Sequence, residues 1–128
     1  KDGFYYEPTL LSGLPVNSPV CQEEVFGPVA CAIPFKSFDE VIKSANDTQF
    51  GLSAVLWTKD LSRALQFVDE IEAGFVQVNQ CVAPRANVSY GGIKMSGLGK
   101  EYAFDSMMNH FTQSKTVLIN RGKSNIDV

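Results

Sequence analysis

Apolar positions fall into runs and stripes through the middle of the chain. Residues 29–35, Val29-Ala30-Cys31-Ala32-Ile33-Pro34-Phe35, form a near-continuous apolar run that suits a strand buried on both faces. Ser37-Phe38-Asp39-Glu40 then fits a capping box, with Ser37 at the N-cap and Glu40 three residues on. Phe38, Val41, Ile42 and Ala45 follow at helical spacing, and Asn46-Asp47 closes the helix. Residues 52–57 read as a second buried strand. Asp60 is a fitting N-cap for the next helix, whose core stripe is Leu61, Ala64, Leu65, Val68 and Ile71. Gly74 stands where a left-handed C-terminal cap belongs, and Phe75-Val76-Gln77-Val78-Asn79 is the third strand. Strand, helix, strand, helix, strand with connections of this length predicts parallel pairing through right-handed crossovers.

The flanks are less regular. Residues 4–11 read as a short extended segment in which Pro8 removes one ladder donor, so it belongs at an edge. Residues 12–20 carry Gly13, Pro15, Asn17, Ser18 and Pro19 and read as a loop. A long loop, 80–99, contains Gly91, Gly92, Gly97 and Gly99. A last helix is expected at about 100–110, with Phe104, Met107, Met108 and Phe111 on one face. Residues 113–120 predict a final strand, and the polar tail 121–128 is expected to fray. The pattern as a whole predicts an α/β protein: an open, mostly parallel sheet with flanking helices. Ligands of such sheets sit beyond the carboxyl ends of the strands. That rule singles out the loop from Asn79 to Gly99 and the segment Glu23-Glu24-Val25-Phe26-Gly27-Pro28.

Composition narrows the class. The 128 residues are 45% hydrophobic and 20% charged, which excludes a disordered chain and fits one domain with a real core. With 11 Lys+Arg against 14 Asp+Glu, the formal net charge is -3. An acidic balance argues against a nucleic-acid partner, which needs basic surface. No stretch approaches the roughly 18–20 apolar residues of a membrane span. Lys1-Asp2-Gly3 leads into folded-looking sequence without a signal-peptide pattern, so a cytoplasmic location is expected. Lys1 is not a natural translation start, and the chain reads as a processed or trimmed portion of something longer. Cys21, Cys31 and Cys81 are odd in number and widely spaced, without the spacing of a disulfide framework or a zinc site. Reduced, packed thiols and no bound metal are the expectation.

The two singled-out loops carry a resemblance. Glu23-Glu24-Val25-Phe26-Gly27-Pro28-Val29 resembles a motif of the NAD(P)-dependent aldehyde dehydrogenase superfamily. So do Ala45-Asn46-Asp47-Thr48 with Phe50-Gly51-Leu52, Trp57-Thr58-Lys59-Asp60, residues 73–79, Gly91-Gly92-Ile93-Lys94-Met95-Ser96-Gly97 and Ser114-Lys115-Thr116-Val117. Their order and spacing run from about residue 3 to 120. The resemblance implies that Glu24 hydrogen-bonds the hydroxyls of a nicotinamide ribose. A carboxylate suits that task, because it accepts from two vicinal hydroxyls at once. It implies that Phe26 packs against the nicotinamide end, with Gly27-Pro28 as a rigid turn behind both side chains. It also implies that residues 80–90 wall an aldehyde tunnel, with Val82, Pro84, Arg85 and Tyr90 at the substrate. Arg85 has two readings: a clamp for a substrate carboxylate, or a solvated arginine at a subunit rim. Glu101 matches a supporting glutamate near the cofactor, and reads equally well as a first-turn carboxylate favoured by the helix dipole. Lys94 is implied to fix its loop.

The resemblance places the catalytic residues elsewhere. Its chemistry is the oxidation of an aldehyde to a carboxylic acid through a cysteine thiohemiacetal and thioester, with a glutamate base. Neither that nucleophile nor that base falls in this chain. The Rossmann-type half that binds adenine and pyrophosphate is also missing. Cys81 aligns with the substrate loop and is not the nucleophile, and His110 near a helix end suits dipole complementation. The chain is therefore expected to be the C-terminal part of such an enzyme. Residues 1–111 would belong to the catalytic domain, and residues 112–128 would form an oligomerisation strand and tail. NAD or NADP is the implied cofactor of the complete enzyme, and none is expected to be bound by this chain alone. The implied partners are a small-molecule aldehyde and further copies of the chain. The polypeptide alone is expected to be inactive. The alternative is a stand-alone, non-catalytic module that self-associates through exposed strand edges.

Overall fold

The computed structural model describes residues 3–120 and 122. β1 (Thr9–Ser12) begins just after Pro8, so the extended segment predicted from residue 4 is an ordered strand only past the proline. It pairs in parallel with β2 (Val29–Ala32), Thr9 opposite Val29 and Ser12 opposite Ala32. The predicted loop between them contains a short helix, α1 (Pro19–Gln22), which Pro19 starts by presetting φ in the first turn. β2 is shorter than its apolar run. Pro34 cannot donate to a ladder, and Ala30 and Ala32 face solvent, so the strand is covered on one face and not on two.

α2 (Phe38–Asn46) follows the predicted cap closely. Ser37 Oγ accepts from the Glu40 amide at 3.2 Å. The returning bond of the box is displaced by one residue, since the Glu40 carboxylate accepts from the Lys36 amide at 2.7 Å. β3 (Phe50–Gly51), β4 (Ser53–Leu56), α3 (Leu61–Glu70) and β5 (Phe75–Val78) come next. Asp60 caps α3 by accepting from the Arg63 amide at 3.2 Å. β4 and β5 run parallel, Ser53 opposite Phe75 and Leu56 opposite Val78. β6 (Ile93–Lys94) returns antiparallel to β3 within the predicted 80–99 loop, and α4 (Phe104–Phe111) starts later than expected.

The class is therefore α/β with mostly parallel pairing, as predicted. The pairing is divided into three two-stranded ladders rather than one sheet. Among the described residues β2 does not reach β4. Gly74 is not a helix cap: α3 ends at Ile71 in extended backbone, and Gly74 sits where two chains approach closely. Residues 112–120 form no strand, because no ladder partner lies beside them among the described residues. Val117, Leu118 and Ile119 stand in solvent. Most of the tail predicted to fray lies outside the described residues.

The expected core is largely missing. Among the described residues, Ile42 and Phe67 are the buried hydrophobic ones. On α3 the predicted stripe faces outward at Leu61, Leu65 and Val68, while Phe67, off that stripe, is inside. The α4 stripe of Phe104, Met107, Met108 and Phe111 is also exposed. The accessible surface is 10953 Å². A compact monomer of 14.0 kDa would show roughly 6700 Å². Helical periodicity marks an apolar face correctly, but it does not supply the protein that covers it.

Candidate active-site segments

The segment after α1 is set by short-range turns. Glu23 closes α1 in extended backbone, its amide donating to the Pro19 carbonyl at 2.8 Å. The Gln22 side-chain amide donates to the Val16 and Asp47 carbonyls, both at 2.9 Å, and so ties α1 to the end of α2. Beyond Glu24 come two consecutive three-residue turns. The Gly27 amide donates to the Val25 carbonyl at 2.9 Å, and the Val29 amide to the Gly27 carbonyl at 2.8 Å. This pair of turns delivers the chain into β2 and holds Phe26 at its apex.

Glu24 and Phe26 face different hollows. Glu24 lines an open cleft of about 570 Å³ shared with Cys21, Thr48, Glu72 and Ser96. Phe26 lines a second cleft of about 600 Å³ with the aromatic rings of Phe4, Tyr5 and Tyr6. Both side chains are exposed, Phe26 at 94%. Glu24 makes no hydrogen bond or ion pair among the described residues.

The far side of the Glu24 cleft is held by side chains clasping backbone. Lys94, in β6 at φ 55°, donates from Nζ to the Asn46 and Thr48 carbonyls at 2.8 and 3.1 Å and pairs with the Glu72 carboxylate at 2.5 Å. Asn46 donates to the Glu70 carbonyl and accepts from the Glu72 amide, each at 2.8 Å. Ser96 Oγ accepts from the Gly51 amide at 2.9 Å. Asn79, at φ 53°, exchanges two 2.8 Å bonds with the Thr58 backbone and extends the β4–β5 ladder by a side chain. Gln77 is buried, and its amide oxygen accepts from the Val82 amide at 2.9 Å, which fixes the start of the 80–90 loop. Sequence reasoning passed over Gln77. Its signal was a single amide inside the apolar strand Phe75-Val76-Gln77-Val78.

The 80–90 loop forms a separate locus. Residues 85–88 make a turn, the Val88 amide donating to the Arg85 carbonyl at 3.1 Å. Asn87 occupies its third position at φ 63°, which asparagine tolerates. Tyr90 and Glu101 form an antiparallel bridge of two bonds, at 3.0 and 2.7 Å. Glu101 is thus in a bridge and not in the first turn of α4, which sets aside the helix-dipole alternative for it. Tyr90 meets Phe75 and Tyr102 edge-on, with ring centroids 5.2 and 6.0 Å apart. Val82 and Arg85 are exposed and Pro84 is partly covered. None of Val82, Pro84, Arg85 and Tyr90 lines the cleft of Glu24 or that of Phe26. Lys100, not singled out from sequence, donates to the Gly91 and Gly92 carbonyls at 2.6 and 3.3 Å and secures the glycine pair.

His110 lies in the last turn of α4, beside Gly99. Among the described residues no group of three or more His, Cys, Asp or Glu is placed to hold a metal ion, and no helix is long and apolar enough to cross a membrane.

The arrangement is that of an α/β protein offering a free carboxylate and a free aromatic ring two residues apart. A model of the aldehyde dehydrogenase family matches residues 1–117. The chain is 39% identical over 122 residues to a betaine aldehyde dehydrogenase of Sinorhizobium fredii, covering 95% of this chain and 25% of that protein. It is 42% identical over 117 residues to aldehyde dehydrogenase 1A1 of Gallus gallus, covering 91% of this chain and 23% of that one. The crystal structure of a Mycobacterium tuberculosis aldehyde dehydrogenase complexed with NAD+ superposes with a TM-score of 0.82 at 32% identity, covering 96% of this chain and 25% of that one. The chain belongs to the aldehyde dehydrogenase family and spans about a quarter of the length of these relatives.

Proposed function

We infer that this chain supplies cofactor-facing and substrate-facing loops to an NAD(P)-dependent oxidation of an aldehyde to a carboxylic acid. The observation that carries the reading is Glu24. It is an exposed carboxylate without a partner among the described residues, on an open cleft, and two turns fix the backbone just beyond it. Those two groups suit a nicotinamide nucleotide approached from both clefts: the Glu24 oxygens accept from the ribose hydroxyls on one side, and the exposed Phe26 ring offers an apolar face to the nicotinamide on the other. A bound nicotinamide supplies hydride acceptance. The nucleophile and the base come from protein outside these residues. The uncovered faces of α3 and α4 support this reading, since they call for further protein against them. Lys94 and Glu101 support the site through backbone, Lys94 by its clasp on residues 46–48. Residues 112–128 act as an oligomerisation arm that finds a ladder partner in another copy, and the assembly works in the cytoplasm.

The experiment is a turnover assay that follows reduced nicotinamide, with NAD and NADP offered separately. The protein as its source makes it should oxidise an aldehyde with one or both. The 128-residue polypeptide alone should give no signal above blank, and turnover by it would overturn the placement of the nucleophile outside this chain.

Arg85 is assigned to the substrate. Its guanidinium is exposed, makes no ion pair among the described residues, and is the charged group of the 80–90 loop. Arg85→Ala is expected to lower the preference for an aldehyde bearing a carboxylate over a neutral one by about tenfold, the scale of one charge-assisted pair. An unchanged ratio of kcat/KM values would return Arg85 to the solvated surface.

A further inference from the structure

One pair of nucleophilic side chains has no place in the reading above. Cys21 lies in α1 and Cys31 in β2. The alternation of β2 turns Cys31 to the covered face of the strand, half-buried, where its thiol points back at α1. The Cys31 Sγ lies 3.8 Å from the carbonyl oxygen of Val20, the residue just before Cys21, and the Cys21 side chain is near enough to act on the Cys31 thiol. Cys21 in turn lines the open cleft of Glu24, so small solutes reach it. α1 is held against its surroundings by the two bonds of the Gln22 amide, which keeps its backbone beside the Cys31 sulfur. The third cysteine, Cys81, is exposed on the separate 80–90 loop.

We propose that Cys21 and Cys31 form a reversible dithiol–disulfide site whose oxidant is a hydroperoxide. The roles of the two sulfurs differ. Burial, with the adjacent Cys21 sulfur adding to it, pushes the Cys31 thiol above its ordinary value, so Cys31 keeps its proton longer. Cys21, which lines the open cleft, is the attacking sulfur. Its sulfur takes the terminal oxygen of hydrogen peroxide: an S–O bond forms, the O–O bond breaks, and the hydroxide released gains a proton to become water. Cys31 then attacks the Cys21 sulfur. The S–S bond forms, the S–O bond breaks, and the Cys31 proton leaves with the hydroxide as a second water. Two thiols and one peroxide give one disulfide and two waters, and a dithiol reductant reverses the change. The bond joins both ends of the segment that carries Glu24 and Phe26.

The test uses the protein as its source makes it, reduced and then exposed to hydrogen peroxide. Remaining thiols are alkylated, and cleavage after Glu23 or Glu24 separates the two cysteines. Mass spectrometry should find the Cys21 and Cys31 peptides joined, two hydrogens lighter than their sum, and separated again by dithiothreitol. Cys31→Ser should leave a sulfenic acid on Cys21 that dimedone traps, whereas Cys21→Ser should leave Cys31 unlabelled at the same exposure. Circular dichroism of both variants checks that the fold is kept. Free thiols at both positions after peroxide, or a bond from either one to Cys81, would overturn the proposal. The readout needs no cofactor, so it stands or falls separately from the nicotinamide reading.

Discussion

Glu24→Ala is expected to weaken nicotinamide-nucleotide binding by about a hundredfold, and Glu24→Gln by about tenfold, with the unfolding midpoint unchanged in both. The magnitude follows from the chemistry. A hydrogen bond to a charged acceptor contributes about 1.5–3 kcal/mol, and about 1.4 kcal/mol is a factor of ten in affinity. Alanine removes both acceptors, whereas glutamine keeps one neutral oxygen. Stability should not move, because Glu24 is exposed and makes no bond with its surroundings among the described residues. Calorimetric titration of the complete protein with NAD or NADP measures the first quantity, and thermal denaturation the second. Unchanged affinity in both variants would remove Glu24 from the site. Lost affinity accompanied by a lowered midpoint would make it a structural residue instead.

Gly74→Ala is expected to have the opposite signature, a loss of stability of about 2–3 kcal/mol. The Gly74 amide donates to the Gly51 carbonyl at 3.0 Å, which fixes its position. A methyl group there would overlap the Gly91 carbonyl oxygen and the Lys100 ammonium. Neither neighbour can step aside freely, since Lys100 is bonded to that same carbonyl and to the next. The overlap therefore pushes apart the entrance to β5, the glycine pair and Lys100. Gly27→Ala serves as the control. Nothing lies near its added carbon, so its effect on stability should stay within about 0.5 kcal/mol. Equal denaturant midpoints for the two variants would show that the close approach at Gly74 relaxes without cost.

What the sequence disclosed follows from the range of the interactions concerned. Ser37 and Asp60 cap their helices as read, because a cap is settled within four residues of chain. The faces of α3 and α4 were identified as apolar, yet most of those residues stand in solvent here. Periodicity records which side seeks cover and not whether cover is present. Gly74 looked like a cap because glycine after a helical stripe usually is one. Its actual reason, a carbonyl from residue 91, is a tertiary contact that no local pattern announces. Pairing of β2 with β1 rather than with β4 is likewise a long-range choice. Glu24 and Phe26 were legible as a motif, but an extended segment interrupted by turns gave no sign that they face two hollows. The helix-dipole alternative for Glu101 fails for a related reason: its bridge to Tyr90 spans the whole glycine loop.

The scarcity of buried apolar side chains also bears on how this polypeptide would come apart by itself. The heat capacity of unfolding and the steepness of a denaturant transition both grow with the apolar surface newly wetted. With Ile42 and Phe67 as the enclosed hydrophobic residues among those described, this stretch has little left to wet. Its melting would be broad and almost without a calorimetric step. The ladders and helices would loosen one after another, and an all-or-none transition would belong only to the larger body into which their outer faces fit.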